Sequence, residues 1–423
     1  MVAAPKLKIL ISSRIVLRMR GEHEFPVLPL ELPALSSMPV LEQLEQNESV
    51  QLFIQRAQAA NPKFALIKEN AAAVAEICRS LEGLPLAIEL AAARIKILPP
   101  KAMLAKLGNR LSFLTGGGRD LPARQQTLRN TLDWSHSLLS SQEKTLFARL
   151  GIFAGGFSME AAESICNQDG ALDVMSGVEI LLNNSLLHQE ETASGLNRFR
   201  MLETVREYAL ERLEKQAELA IITRALSLYY VSKIVNEAGF KLFTSESVTW
   251  LDWCENEHDN IRAALAWALN SAEVDDYKTF LISFLGWFWY RRGYLHEGRV
   301  WAERFLATQW GSPGTPGRAG ALLGSAMLAL WEGNAKTAIV EAEECEALYR
   351  HREDEQYLPT AVLQLGIINI NMGNDAAAYP LVKEASSLFQ EAGQRFFYAV
   401  SLVHLGNVAL GLGKPAEARA LLE

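Results

Sequence analysis

"LISFLGWFWYRRGYLHEG" occupies residues 281–298, and its outline returns three more times at a fixed distance. The later copies are "ALLGSAMLALWEGNAKTA" (321–338), "AVLQLGIININMGNDAAA" (361–378) and "SLVHLGNVALGLGKPAEA" (401–418). Gly293, Gly333, Gly373 and Gly413 stand forty residues apart. Eight residues ahead of them lie Leu285, Ser325, Leu365 and Leu405, and seven ahead the small Gly286, Ala326, Gly366 and Gly406. Five residues past the last three glycines come Ala338, Ala378 and Ala418, with Gly298 in the first copy. An apolar segment, a glycine and a second apolar segment describe a helical hairpin. The glycine permits the turn, and the small residues let the two helices of a hairpin close on each other. Self-similarity at such a period predicts a stacked array, so residues 218–423 read as an α-solenoid.

The period exceeds the ~34 residues of the standard tetratricopeptide repeat and fits a longer variant of that hairpin. The aromatics of "GWFWYRRGY" (286–294), with Trp301 and Trp331, read chiefly as hairpin core. Arg291 and Arg292 are candidates for the groove of the array, where they would meet an acidic partner.

The remaining composition is that of a globular protein of several domains. The chain has 423 residues, 49% of them apolar and 21% charged, and a net charge of −8. That acidic balance argues against a dedicated nucleic-acid surface. Cys78, Cys166, Cys254 and Cys345 are scattered singly, which predicts buried reduced thiols in a cytoplasmic protein. No histidine spacing suggests a metal site, and "CENEHDN" (254–260) reads as a charged helix start. The most apolar run, "FLISFLGWFWY" (280–290), is too short to span a bilayer and reads as a buried helix. No membrane association is expected.

Upstream of the array, "LKILISSR" (7–14) reads as a parallel strand ending in polar side chains, the end at which open α/β sheets hold ligands. Pro26, Pro29 and Pro33 forbid a helix in "FPVLPLELP". Residues 40–110 show helical apolar spacing, with a turn at Gly83–Pro85 and Pro85 in the first turn of a new helix. "LTGGGRDLPARQ" (114–125) is a break. Between 126 and 215 come several helices, capped at Ser140 or Ser141 and at Ser158. A β-hairpin across "SLLHQEE" and "RFRMLE" and a closing helix follow, an order that predicts a winged helix. Arg124, Arg129, Lys144 and Arg149 lie in its first half, but Glu143, Glu160 and Glu163 interleave with them. The domain therefore reads as an internal packing module, and nucleic-acid binding by this chain is not expected.

The order of elements resembles that of the STAND family of signal-transduction ATPases, which includes the NB-ARC proteins, and within it bacterial regulators with a carboxyl-terminal repeat array. The matching stretches are residues 7–30, 81–98, 124–166, 198–213 and 250–269. The resemblance implies a mostly α chain. Residues 1–35 would be the remnant of a nucleotide-binding domain, 36–115 a helical lid domain, 116–217 a winged helix and 218–423 tetratricopeptide-like repeats. It implies that Arg14 holds the position of the arginine that senses a γ-phosphate, suited to a guanidinium's forked donors. It implies likewise that Pro85 holds that of the lid proline on the adenine.

Two departures limit this. No Gly-x-x-x-x-Gly-Lys-Ser/Thr phosphate loop occurs in the chain, so the phosphates lack their cradle. The family's Met-His-Asp element aligns with Met201-Leu202-Glu203. Arg14 and Pro85 are thus expected to be vestigial, and ATP or ADP to bind only with a missing amino-terminal portion. Both ends read as cuts through a longer parent. The expected function is regulatory, in transcription control or signal transduction, through a protein, peptide or inducer on the repeat groove. The alternatives are a nucleotide-driven ATPase switch and a DNA-binding regulator acting through the winged helix.

Overall fold

The computed structural model describes residues 10–11, 22–23, 25, 27–34, 41–107, 110–114, 127–191, 197–238, 241, 244–271, 278–352 and 356–423. The chain divides into two compact units, Met1–Thr223 and Arg224–Glu423. The fold is mostly α, as expected, with one small sheet among the described residues. Of the strand expected over 7–11, only Leu10 and Ile11 are described, and both are exposed. Arg14 and most of the 114–125 break lie outside the described residues.

The first unit opens with α1 (Leu41–Gln46), α2 (Glu48–Ala60), α3 (Lys68–Ser80), α4 (Pro85–Ala92), α5 (Pro100–Lys106) and α6 (Arg110–Phe113). Asn47 caps α2, accepting from the Val50 N–H. The inner faces bury Val50, Phe53, Val74, Ile77 and Ile88. The α3–α4 turn depends on Gly83, whose φ is +68°. Leu30 donates its N–H to the Gly83 carbonyl at 3.0 Å, and a Cβ at Gly83 would stand 2.2 Å from the Leu30 oxygen. Arg79 Nη1 donates to the carbonyls of Pro33 and Ala34, at 3.3 and 2.9 Å. The proline-rich segment, free of helix over 27–34, is thereby tied across the turn. Pro85 begins α4, where a missing N–H leaves nothing unpaired.

The same unit continues with α7 (Leu128–Ser137), α8 (Ser141–Leu150), α9 (Met159–Cys166), α10 (Val174–Asn183), β1 (His188–Glu191), β2 (Asn197–Arg200) and α11 (Glu203–Lys215). Ser140 and Glu143 form a reciprocal capping box on α8, and Ser158 caps α9. β1 and β2 pair antiparallel from His188↔Arg200 to Glu191↔Asn197, and Phe157 bridges to Phe199. Phe147, Phe153, Phe157 and Tyr208 fill the core beneath this wing.

From α12 (Leu219–Lys233) on, every described element is helical: α13 (Ser247–Asn256), α14 (His258–Asn270), α15 (Lys278–Arg292), α16 (Leu295–Leu306), α17 (Pro316–Trp331), α18 (Ala335–His351), α19 (Leu358–Asn371), α20 (Asp375–Glu391), α21 (Arg395–Gly411) and α22 (Pro415–Leu422). Gly293, Gly333, Gly373 and Gly413 sit between paired helices with φ of +80°, +85°, +76° and +73°, a region that other residues adopt only with strain. Ala326, Ala338 and Ala342 share one core cluster inside the α17–α18 hairpin. A Cβ at Gly366 would meet Val382 and one at Gly406 would meet Leu422, so these small residues admit the partner helix of their own hairpin. Gly286 differs from the expectation. It approaches Gly324 of the next hairpin, where an added Cβ would stand 3.2 Å from the Gly324 Cα. "CENEHDN" joins α13 to α14, with Asp259 in the first turn of α14.

Candidate functional site

The first helices of the four hairpins, α15, α17, α19 and α21, line a cavity of about 730 Å³ in the second unit. This is the size range of pockets for small molecules. The cause is local. α15, "KTFLISFLGWFWYRR", carries two apolar faces. Phe288 and Trp289 turn into the core, while Trp287 and Tyr290, three positions apart, line the cavity. Such a helix packs on both sides and leaves one apolar side unfilled by its own hairpin. Tyr290 stacks on Trp331 of α17 with ring centroids 5.0 Å apart, and Trp331 remains 47% exposed. Phe396 and Phe397 of α21 stand at the far wall, with their rings edge to face at 5.2 Å. The close approach of Gly286 to Gly324 lies in this lining, and Ser283 Oγ donates to the Gly320 carbonyl at 2.5 Å beside it.

Several polar side chains of the wall are committed within the protein. Gln356 Nε2 donates to Tyr357 Oη at 3.1 Å. Gln364, 5% exposed, donates Nε2 to the Leu323 carbonyl at 2.7 Å. Its Oε1 is buried with no hydrogen-bond partner. His404 is held below the ordinary imidazole range by burial, so it is neutral at pH 7. Arg395 lies exposed at the edge.

Of the expected site residues, Pro85, Arg291 and Arg292 are among the described ones. Pro85 is exposed at the start of α4. Arg291 and Arg292 are not in the cavity lining. Arg291 lies over the Trp287 ring at 5.7 Å, and Arg292 pairs with Asp252 and Glu255 of α13. The reading of Trp331 as hairpin core is corrected: its ring is half exposed on the cavity wall, whereas Trp289 and Trp301 are buried. Gln364, Met327 and His404 were missed. Their one signal was apolar character on both faces of the first helices.

Two arginines of the winged helix are committed to carboxylates of the same unit. Arg129 makes a two-pronged pair with Glu211, both bonds 2.7 Å. Arg149 pairs likewise with Glu218 at 2.8 and 3.0 Å and donates to the Cys166 carbonyl. These hydrogen bonds hold Glu211 and Glu218 below the usual carboxylate range. α10, the helix before the wing, has one charged residue, Glu179. Arg110 binds α3 to α11, donating Nε to the Ser80 carbonyl at 2.9 Å and Nη1 to Glu207 at 2.6 Å. Glu82 accepts the Glu203 N–H at 2.5 Å, and burial holds its carboxyl above the usual range. The four cysteines are buried, and burial pushes Cys78 and Cys254 up to about 12, so no reactive thiolate stands among them. Among the described residues no side-chain cluster suits a metal ion, and no helix is long and apolar enough to cross a membrane.

A wing-bearing helical domain and a helical-repeat array with an apolar cavity are therefore the two features to place among known proteins. Residues 139–214 match the model of the winged helix-turn-helix domain. The whole chain is 33% identical to 46% of a Mycobacterium tuberculosis protein named "Putative HTH-type transcriptional regulator", and equally to its Mycobacterium bovis counterpart. The chain thus spans about half the length of these curated relatives. A second Mycobacterium tuberculosis protein, named as uncharacterized, is 36% identical over 52% of this chain and 54% of its own length. Among solved structures, a STAND protein with a tetratricopeptide repeat sensor from Pyrococcus horikoshii aligns over 88% of this chain and 58% of its own, at 13% identity and a TM-score of 0.32.

Proposed function

We propose that this chain is part of a regulator in transcription control, and that its repeat array senses a protein, peptide or inducer at the cavity along α15, α17, α19 and α21. The observation that carries the reading is an apolar cavity of about 730 Å³ built from four successive repeats. The similarity to named transcriptional regulators supports the setting. In this reading residues 36–115 form a lid-like helical domain, 116–217 the winged helix and 218–423 the sensing array. The winged helix serves as an internal packing module, because Arg129 and Arg149 are spent on Glu211 and Glu218. Pro85 alone of the two expected nucleotide contacts is described, and it supports no nucleotide step. Hydrolysis is not assigned to this chain, and the reading takes Arg14 and Pro85 as vestigial positions on the resemblance alone.

The test is a transcriptional reporter in a host that carries the parent gene. Trp331→Ala with Phe396→Ala, both exposed residues, is expected to change reporter output, while Val340→Ala, exposed on α18, leaves it unchanged. Output identical to the parent for the cavity pair would overturn the reading. The winged-helix match also raises direct DNA binding. Its signature would be duplex binding that weakens with salt and is lost on charge reversal at Arg129 and Lys144. With α10 lacking any basic residue, no such binding is expected in a mobility-shift titration.

A further inference from the structure

The charges around the cavity say more about its occupant than its size does. Among the described residues its lining holds no aspartate or glutamate and one cation, Arg395. Arg395 is exposed and makes no ion pair among the described residues, whereas Arg299, Arg318 and Arg350 of the same unit each hold a carboxylate. His404 is neutral at pH 7, because burial disfavours its charged form, and adds no second cation. The wall thus offers a single positive group at its edge beside a long apolar surface. Position constrains the shape that fits. α17 ends at Trp331 and α21 begins at Arg395. First helices of stacked hairpins point the same way, so these two residues stand at opposite ends of the wall. They are about the length of α17 apart along the helix direction, which for its 16 residues is ~24 Å. Between them Met327, Leu363, Ile367 and Val400 give the wall an adaptable and aliphatic surface.

We propose that the cavity binds a long-chain carboxylic acid, its carboxylate on Arg395 and its chain laid along the wall towards Trp331. The proposal rests on the sensing reading above and names its ligand class. The forked donors of a guanidinium match a carboxylate, and each methylene buried against the wall adds to affinity. A compact ring would reach one end of the wall only. An extended peptide carries a donor and an acceptor at every residue, and a wall of rings and aliphatic side chains would leave most of them unpaired. A quaternary ammonium on the same chain would suit the rings but would set a like charge beside Arg395.

The experiment titrates the full chain with tetradecanoate and with tetradecyltrimethylammonium, the same chain with the opposite charge, each below its micelle-forming concentration. Calorimetry and tryptophan fluorescence read the binding. Tetradecanoate is expected to bind about tenfold more tightly, against a net charge of −8 that by itself favours the ammonium. Arg395→Gln, at an exposed position, should shrink that ratio to about twofold or less. Lys336→Gln, an exposed cation of α18 outside the lining, should leave it unchanged. Trp331→Ala should weaken both ligands alike. Equal binding of the two, tighter binding of the ammonium, no binding of either, or a ratio untouched by Arg395→Gln overturns the proposal. So does tighter binding of a Leu-Phe-Leu-Phe peptide with a free carboxylate, which would make the occupant a chain terminus. Any of these results with a reporter still altered by the cavity pair leaves the sensing reading standing. A reporter unchanged by that pair removes the sensing reading whatever tetradecanoate does.

Discussion

Gly83 shows how one residue fixes the first unit. Its φ of +68° and the Leu30 oxygen 2.2 Å from any added Cβ act together. Gly83→Ala must strain the turn or push the 27–34 segment off it. We expect a loss of about 2 kcal/mol or more in urea unfolding followed at the first unit. A change under ~0.5 kcal/mol would mean that the segment is not held there. Histidines set a second expectation. Burial holds His258 and His404 below their ordinary value of 6.5 in the folded state. The unfolded chain therefore binds more protons as pH falls. Stability is full above pH 6.5 and declines as pH drops through the lowered folded values. Thermal melts between pH 7.5 and 5 check this, and His404→Gln should flatten the slope without reversing it.

At the scale of elements, Arg110 joins α3 to α11 through the Ser80 carbonyl and Glu207. Its side chain is 18% exposed and that of Glu207 17%, so the pair is poorly screened. Removing Glu207 leaves Arg110 only the longer pair with Glu203, at 3.5 Å. Arg110→Ala is expected to destabilise the first unit by about 1–3 kcal/mol. A double-mutant cycle with Glu207→Ala should return a coupling above ~0.5 kcal/mol, and additivity would show that the contact carries no energy. The hairpins of the second unit were legible because their turns demand φ > 0, a requirement that leaves glycine at a fixed spacing. The caps at Ser140 and Ser158 were legible because capping needs a short polar side chain at one position. The cavity was not. Tyr290, Trp331, Gln364 and His404 come from four different hairpins, and nothing in their spacing distinguishes a wall residue from a core residue. Trp289 and Trp331 are alike as letters and opposite in exposure. The pairing of Arg292 with Asp252 and Glu255 was not legible for a related reason, since these carboxylates lie on a helix far earlier in the chain.

At the scale of the whole chain, the described arginines of each unit include several paired within that unit. Arg129, Arg149, Arg206 and Arg212 of the first unit pair with carboxylates of that unit, and Arg262, Arg299 and Arg318 do the same in the second. Among the described residues of the second unit, an apolar cavity lies along α15, α17, α19 and α21. The central claim is that this cavity is where the protein senses its effector. The transcriptional reporter with Trp331→Ala and Phe396→Ala tests it most directly. Output changed by the cavity pair and left at the parental level by Val340→Ala is the result the account predicts. Parental output for the cavity pair would contradict it.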